Sequence, residues 1–209
     1  MSSQPNPHKQ PRRTQRERSE LSHHRMLEAA AALVARQGSS RTTLSQIGEA
    51  SGYTHGLVSH RFGSKEKLVR ALIRRLQGGF VKSVLPALEG KKGISALKLV
   101  CERYLRAAAD IERHALYVLI GEALGAVPEI RADLAKADEN TRLAIRYQIE
   151  QGIRAGEIRA SVDPVTHSAM ILATLRGLVI QYMLNRDSFD LDRVCKDLKS
   201  NLERTLRQG

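Results

Sequence analysis

The 209-residue chain contains no tryptophan, and aromatic residues make up only 4% of it. That scarcity argues against RNA platforms that stack bases on rings and against carbohydrate sites built on indoles. Only two cysteines occur, Cys101 and Cys195, far apart and without metal-type spacing. A disulfide framework is therefore disfavoured and a reducing, cytoplasmic setting is expected. The longest apolar runs, Ala29 to Ala35 and Ala169 to Leu175, fall far short of the roughly 20 residues a membrane-spanning helix needs. The N-terminal stretch MSSQPNPHKQPRRTQRERSE is polar throughout and lacks the apolar core of a secretory signal. A soluble protein without a membrane partner is expected. No HExxH, GxSxG, phosphate-loop or dinucleotide fingerprint is present, and His23-His24 has no acidic or cysteine company suited to a metal. Catalysis, a cofactor and a metal are accordingly not expected.

What the chain does have is positive charge. Lysine and arginine number 34 against 22 acidic residues, for a net charge of +12. Such an excess favours a polyanionic partner, nucleic acid or an anionic surface, over charge that serves solubility alone. Eleven of the basic residues and five of the acidic ones lie within the first 68 positions, so net positive charge is denser in the first third. Residues 1–19 carry Lys9, Arg12, Arg13, Arg16 and Arg18 among prolines, with almost nothing apolar. They read as a mobile basic arm that either follows DNA or acts as a solubilising tail.

From Leu21 onward helical periodicity dominates and no segment alternates as a strand does. A first helix is expected from about Glu20 to Gln37, with Met26, Leu27, Ala30, Leu33 and Val34 on one stripe and Gly38 as its stop. Thr42 or Thr43, Thr54 and Ser64 each offer a cap for a following helix. The last of these runs from Lys65 to about Leu85, with Gly78-Gly79 as a weak point and Pro86 as terminator. Further helices are expected over about 95–112, 113–124, 128–155 (with Pro128 as first residue), 164–185 and from Asp190 to the end. The fold class is all-α, about nine helices.

Within Thr42–Leu68, TTLSQIGEASGYTHGLVSHRFGSKEKL, two short helices meet at a tight turn through Ser51, Gly52 and Tyr53. Ile47, Tyr53, Val58 and Phe62 are spaced to share a small core, and Gly48 leaves room for a close helix crossing. This is the layout of a helix-turn-helix, whose second helix lies in a DNA major groove. With Val58 and Phe62 turned inward, His55, Gly56, Ser59 and His60 must point outward. Leu57 is apolar on or near that face; it either packs on a thymine methyl or completes the small core.

The run Met26–Leu72 resembles the N-terminal domain of the TetR (tetracycline-repressor-like) transcriptional regulators. The resemblance rests on Met26-Leu27-Glu28-Ala29-Ala30, Gly38, Thr42-Thr43, Ile47-Gly48, Ser51-Gly52-Tyr53-Thr54 and Phe62-Gly63-Ser64-Lys65-Glu66-Lys67-Leu68. It implies phosphate contacts from Thr43, Ser45 and Lys65, and base-edge contacts from His55, Gly56 and Leu57 after the Thr54 cap. Ser59, His60 and Arg61 would flank the groove. Ser59 stands where the family usually has tyrosine and Arg61 where it often has histidine; the charge on Arg61 could compensate for the shorter serine. The division implied is a basic arm over 1–19, a DNA-binding domain over 20–68 and an effector-binding and dimerisation domain over 69–209.

The resemblance also implies a small-molecule effector held between about Gly93 and Asn185, and a two-fold dimer formed by the last two helices. Polar residues in apolar settings, Tyr104, His114, Tyr117, Glu122, Tyr147, Gln148, Arg176 and Gln181, are the candidate effector contacts. Asp133, Asp138 and Glu139 look like solvated helix-face charges. The helix after Pro164 is apolar nearly all round, so it is either a central core helix or half of an interface. Candidate interface residues are Leu172, Leu175, Gly177, Val179 and Tyr182, with Leu191, Val194, Leu198 and Leu202 on the last helix. The expected function is that of a dimeric repressor on a near-palindromic double-stranded DNA operator, released by its effector. The competing expectation is a basic helical protein-interaction or membrane-surface module, which leaves the turn geometry of Thr42–Lys65 unexplained.

Overall fold

The computed structural model describes residues 14–207. They form α1 (Gln15–Arg41), α2 (Leu44–Ser51), α3 (His55–Phe62), α4 (Lys65–Val84), α5 (Gly93–Arg106), α6 (Ile111–Leu124), α7 (Arg131–Arg154), α8 (Pro164–Leu184) and α9 (Leu191–Leu206). Among the described residues the extended pairing is one antiparallel bridge, Ile158 with Arg207. The all-α, nine-helix expectation holds.

Helix starts follow side-chain chemistry. Thr14 and Glu17 form a reciprocal capping box, so α1 opens at Gln15 and not near Glu20. The basic segment ahead of that cap lies outside the described residues. Thr43 forms a second such box with Gln46 at the head of α2. Thr54, Asp163 and Asp190 accept backbone N–H groups at the heads of α3, α8 and α9. Gly38 breaks the helical dihedrals of α1 where a stop was expected.

Three further points differ from the periodicity reading. α5 ends at Arg106, because Ala107–Ala109 tighten into a 3-10 turn and an extended Asp110 restarts the chain as α6. Apolar spacing continues through Ala108 and Ile111, so the pattern alone runs past the break. Pro128 opens a 3-10 turn, Pro128–Ile130, and α7 begins only at Arg131. α4 passes through Gly78 and Gly79 as continuous helix, since neither residue adopts positive φ.

Two cores result. The first joins α1, α2, α3 and α4 to α6 and the start of α7, through Met26, Val58, Leu72, Ile73, Leu119 and Ile130. Met26, Val58, Leu72 and Ile73 are fully enclosed, each burial contributing about 1.5–3 kcal/mol. The second core joins α5, α7, α8 and α9. Cys101 and Cys195 are free thiols there, and burial pushes the Cys101 pKa up to about 12, which makes it a packing residue and not a nucleophile. α6 follows α5 in the chain but packs along α1, so it is the wall between the two halves.

Candidate nucleic-acid interface and effector cavity

α2 and α3 cross closely because Gly48 has no side chain. A Cβ there would lie 2.8 Å from the Tyr53 carbonyl oxygen and 3.1 Å from the His55 nitrogen, both backbone atoms that cannot yield. Gly52 turns the chain between the helices in the left-handed region, φ 77°. Behind α3, Val58 is fully buried and Phe62 nearly so. In front, Thr54, His55, Gly56, Leu57 and His60 are exposed and Ser59 is half-buried. Leu57 stays 36% exposed and outside the small core, so it is available to a partner surface. Around Gly56 the nearest atom to an added Cβ is the Thr54 hydroxyl at 4.0 Å, leaving bare backbone on that side. Thr43 and Ser45 are exposed at the head of α2. α3 carries no acidic residue.

Two members of the expected DNA set are held elsewhere. Arg61 turns back onto α1, where its guanidinium donates to the Ser19 hydroxyl at 3.0 Å. That bond directs its side chain toward α1. Lys65 donates to the Ser40 carbonyl at 2.7 Å, capping the end of α1. Beside Arg61, the His23 ring stacks on Phe62 with centroids 5.1 Å apart. Partial burial and then the charges of Arg61 and Arg75 hold its pKa below the ordinary value.

At the other end of α1, Glu122 of α6 receives the backbone N–H of Ser39 at 3.0 Å and of Ser40 at 3.3 Å, and the Ser39 hydroxyl. A Cβ on Gly38 would meet that carboxylate at 2.6 Å. Glu122, a candidate effector contact from sequence, therefore joins α6 to the chain entering α2. Arg75 of α4 is held by Glu112 at the start of α6, at 2.8 Å.

A cavity of about 640 Å³ lies between α4, α5, α6, α7 and α8, within the range of small-molecule sites. Leu76, Leu85, Leu88, Val100, Leu116 and Leu172 supply apolar wall. Of the candidate effector residues, Tyr104, Tyr147, Gln148 and Arg176 line it. Tyr117 stands behind Tyr104, hydroxyl to hydroxyl at 3.1 Å, and burial drives its pKa far up. His114 and Gln181 are exposed and outside the lining. The polar floor also includes two residues absent from the sequence-based set. Arg113 lies over the Tyr104 ring, 4.3 Å from its centroid. Asp138 grips Arg176 through both oxygens, which corrects its reading as a solvated charge. Burial opposes the charge of Arg176, yet the Asp138 pairing holds its pKa above the ordinary value. Asp138 sits among polar α7 neighbours in sequence, so only the partner across the fold reveals its role.

The candidate interface residues of α8 divide by direction. Leu172, Leu175, Val179 and Leu202 are buried in the protomer's own core, Leu191, Leu198 and Tyr182 pack against it, and Val194 is half-buried. The remaining apolar face of α8 runs Met170, Ala173, Gly177, Ile180, Leu184. Met170, Ile180 and Leu184 are large and exposed, and a Cβ on Gly177 would meet open space. Among the described residues no helix is long and apolar enough to cross a membrane.

The family model described as "Bacterial regulatory proteins, tetR family" matches residues 26–72. A second, "BetI-type transcriptional repressor, C-terminal", matches residues 95–207. The HTH-type transcriptional regulator TtgR of Pseudomonas putida is 26% identical over 187 residues, which are 86% of this chain and 88% of that protein. A TetR transcriptional regulator of Chloroflexus aurantiacus superposes with TM-score 0.81 at 22% identity, over 92% of this chain and 99% of the other. A transcriptional regulator from Saccharomonospora viridis in complex with choline superposes with TM-score 0.78 at 21% identity, over 91% and 100% of the two chains.

Proposed function

The chain belongs to the TetR family of bacterial transcriptional regulators, DNA-binding homodimers that answer to small molecules, and from that premise we propose how its own residues do this work. The reading unit is 20–68 and the sensing and pairing unit 69–209, acting on DNA in the cytoplasm. α3 enters the major groove with His55, Gly56, Leu57 and His60 toward base edges, Leu57 meeting a thymine methyl. Thr43 and Ser45 meet phosphate, with Ser59 at the groove edge, while Arg61 and Lys65 set the angle of α3 and α4 on α1. The observation that carries this reading is the two-sidedness of α3. Its back is sealed by Val58 and Phe62, and its front, Leu57 included, stays open.

A second copy of the chain pairs along Met170, Ala173, Gly177, Ile180 and Leu184. Their 3–4 spacing is that of a helix–helix seam, and Gly177 permits close approach. Pairing places two copies of α3 on one duplex, as a near-palindromic operator requires. Effector in the cavity presses on α4 and α6 together. Both border it, and both are tied to the reading unit, α4 by direct continuation from α3 and α6 by Glu122. Occupancy thus shifts the spacing of the two α3 helices and releases the operator, which makes the protein a repressor.

Selection of bound duplexes from a random pool tests the reading. Symmetric half-sites are expected, with log affinity falling by about 0.9 per neutralised phosphate against log salt. His60→Ala and Leu57→Ala are each expected to cost about 1–3 kcal/mol at particular base positions without changing the dimer. An unselective pool, or both variants binding as the parent does, overturns it.

A further inference from the structure

The cavity's polar inventory is lopsided in two independent ways. Three enclosed side-chain atoms lining it have no hydrogen-bond partner: Gln77 Nε2 on α4, Gln148 Oε1 on α7 and Arg176 Nε on α8. Gln148 is only 9% exposed, so its unmet oxygen is sealed from bulk solvent. A buried polar atom left unmade costs about 1–3 kcal/mol, a cost a ligand group can remove. Two of the three are donors, and one of these belongs to a cation. Charge leans the same way, since Arg74, Lys82, Arg113 and Arg176 line the cavity against a single carboxylate, Asp138. Asp138 is already committed to Arg176 through both its oxygens.

We propose that the effector is an amphipathic organic acid, with an apolar body along the leucine walls and a carboxylate on Arg176 Nε and Gln77 Nε2. This inference rests on reading the cavity as the effector site and adds the chemical class. The Asp138 pairing fixes the guanidinium plane with two of its three nitrogens occupied, so the third is presented in a set direction. Such an oriented donor suits an oxygen anion better than a freely swinging ammonium would. Gln148, whose amide can present either end, takes up the remaining polar atom of the ligand head or a water beside it. A quaternary ammonium is a poor fit: it would face four cations, and Tyr104, the natural ring for it, is already covered by Arg113.

Arg176 lies beside Gly177, about 100° around α8 from it and so on the flank of the proposed pairing seam. A carboxylate that draws on Arg176 therefore alters the α7–α8 link alongside that seam. Ligand chemistry and dimer geometry meet at one side chain.

The test measures binding of laurate, dodecanol, dodecyltrimethylammonium and choline to the full chain by calorimetry, with release from the selected operator as a second readout. Laurate is expected to bind roughly tenfold or more tightly than dodecanol and than either cation, and to release the operator. Arg176→Lys keeps the charge opposite Asp138 but removes the oriented Nε; it should abolish the preference for laurate over dodecanol. Gln77→Leu, on a different helix, should reduce the same preference, and it carries the test if the Arg176 variant folds poorly. Equal or tighter binding of dodecanol or of either cation overturns the acid assignment and leaves the cavity reading standing. Failure of all four probes and of the neutral dye Nile red to enter overturns the cavity reading as well.

Discussion

The reading end and the sensing end of this molecule are built to opposite standards. Around α2 and α3, glycine and threonine settle nearly every degree of freedom. Gly48 lets two backbones meet, Thr43 and Thr54 cap the helices, and Val58 and Phe62 seal the back. Around the cavity, volume is left unfilled and polar atoms are left unmatched. A surface that must fit a duplex gains from having one shape, because misplacement by a fraction of a groove loses its contacts. A chamber that must accept a visitor gains from unmet need. The difference shows how one fold keeps a fixed recognition chemistry while its trigger varies.

The largest effect is expected at Gly48. Gly48→Val drives side-chain atoms into the Tyr53 carbonyl and should cost about 3 kcal/mol, read as a lowered urea midpoint together with lost operator binding. A near-normal midpoint would mean the reading end is as forgiving as the cavity. Next comes the link between the ends. Glu122→Ala strips the Ser39 and Ser40 N–H groups of their acceptor and should cost about 2 kcal/mol. Effector affinity should persist while effector-driven operator release weakens, a split visible by running calorimetry and a DNA-release assay side by side. In the cavity, Gln148→Leu removes an unmatched acceptor and should shift stability by under about 1 kcal/mol in either direction. A loss like that of Gly48→Val would show the sensing end to be just as tightly specified.

The smallest effect is a pH dependence. The folded protein holds the His23 pKa below the free value of 6.5, so the unfolded chain takes up a proton first as pH falls. The stability this residue permits is complete above 6.5 and is lost as pH drops through its folded pKa. A thermal-melting series through that window should show the decline, and His23→Phe, which keeps the stack on Phe62, should flatten it. An unchanged slope in that variant would assign the decline to other groups.

Sequence made the reading end legible because its devices are local. Caps, the Gly52 turn and the inward pair Val58 and Phe62 all act within a few residues of one another. The side of α3 that faces out follows from the 3.6-residue repeat alone. Arg61 and Lys65 escaped that logic because their partners, Ser19 and Ser40, lie 42 and 25 residues away. The sensing end was legible only in outline. Tyr104, Tyr147, Gln148 and Arg176 were recognisable as polar residues in apolar company. Asp138 and Arg113 take their meaning from helices far off in the chain. The apolar α8 showed that something must cover it, but not which face. Leu172, Leu175 and Val179 turned out to serve the protomer itself, and the free row begins at Met170.

α6 belongs to the first core by packing and to the second half by its place in the chain. A chimera that grafts residues 20–68 onto another body would leave Met26 and the Ser39 and Ser40 N–H groups facing a foreign helix. Transplanting this recognition head therefore demands carrying Ile111–Leu124 along with it, or redesigning the recipient's counterpart to supply Leu119 and Glu122.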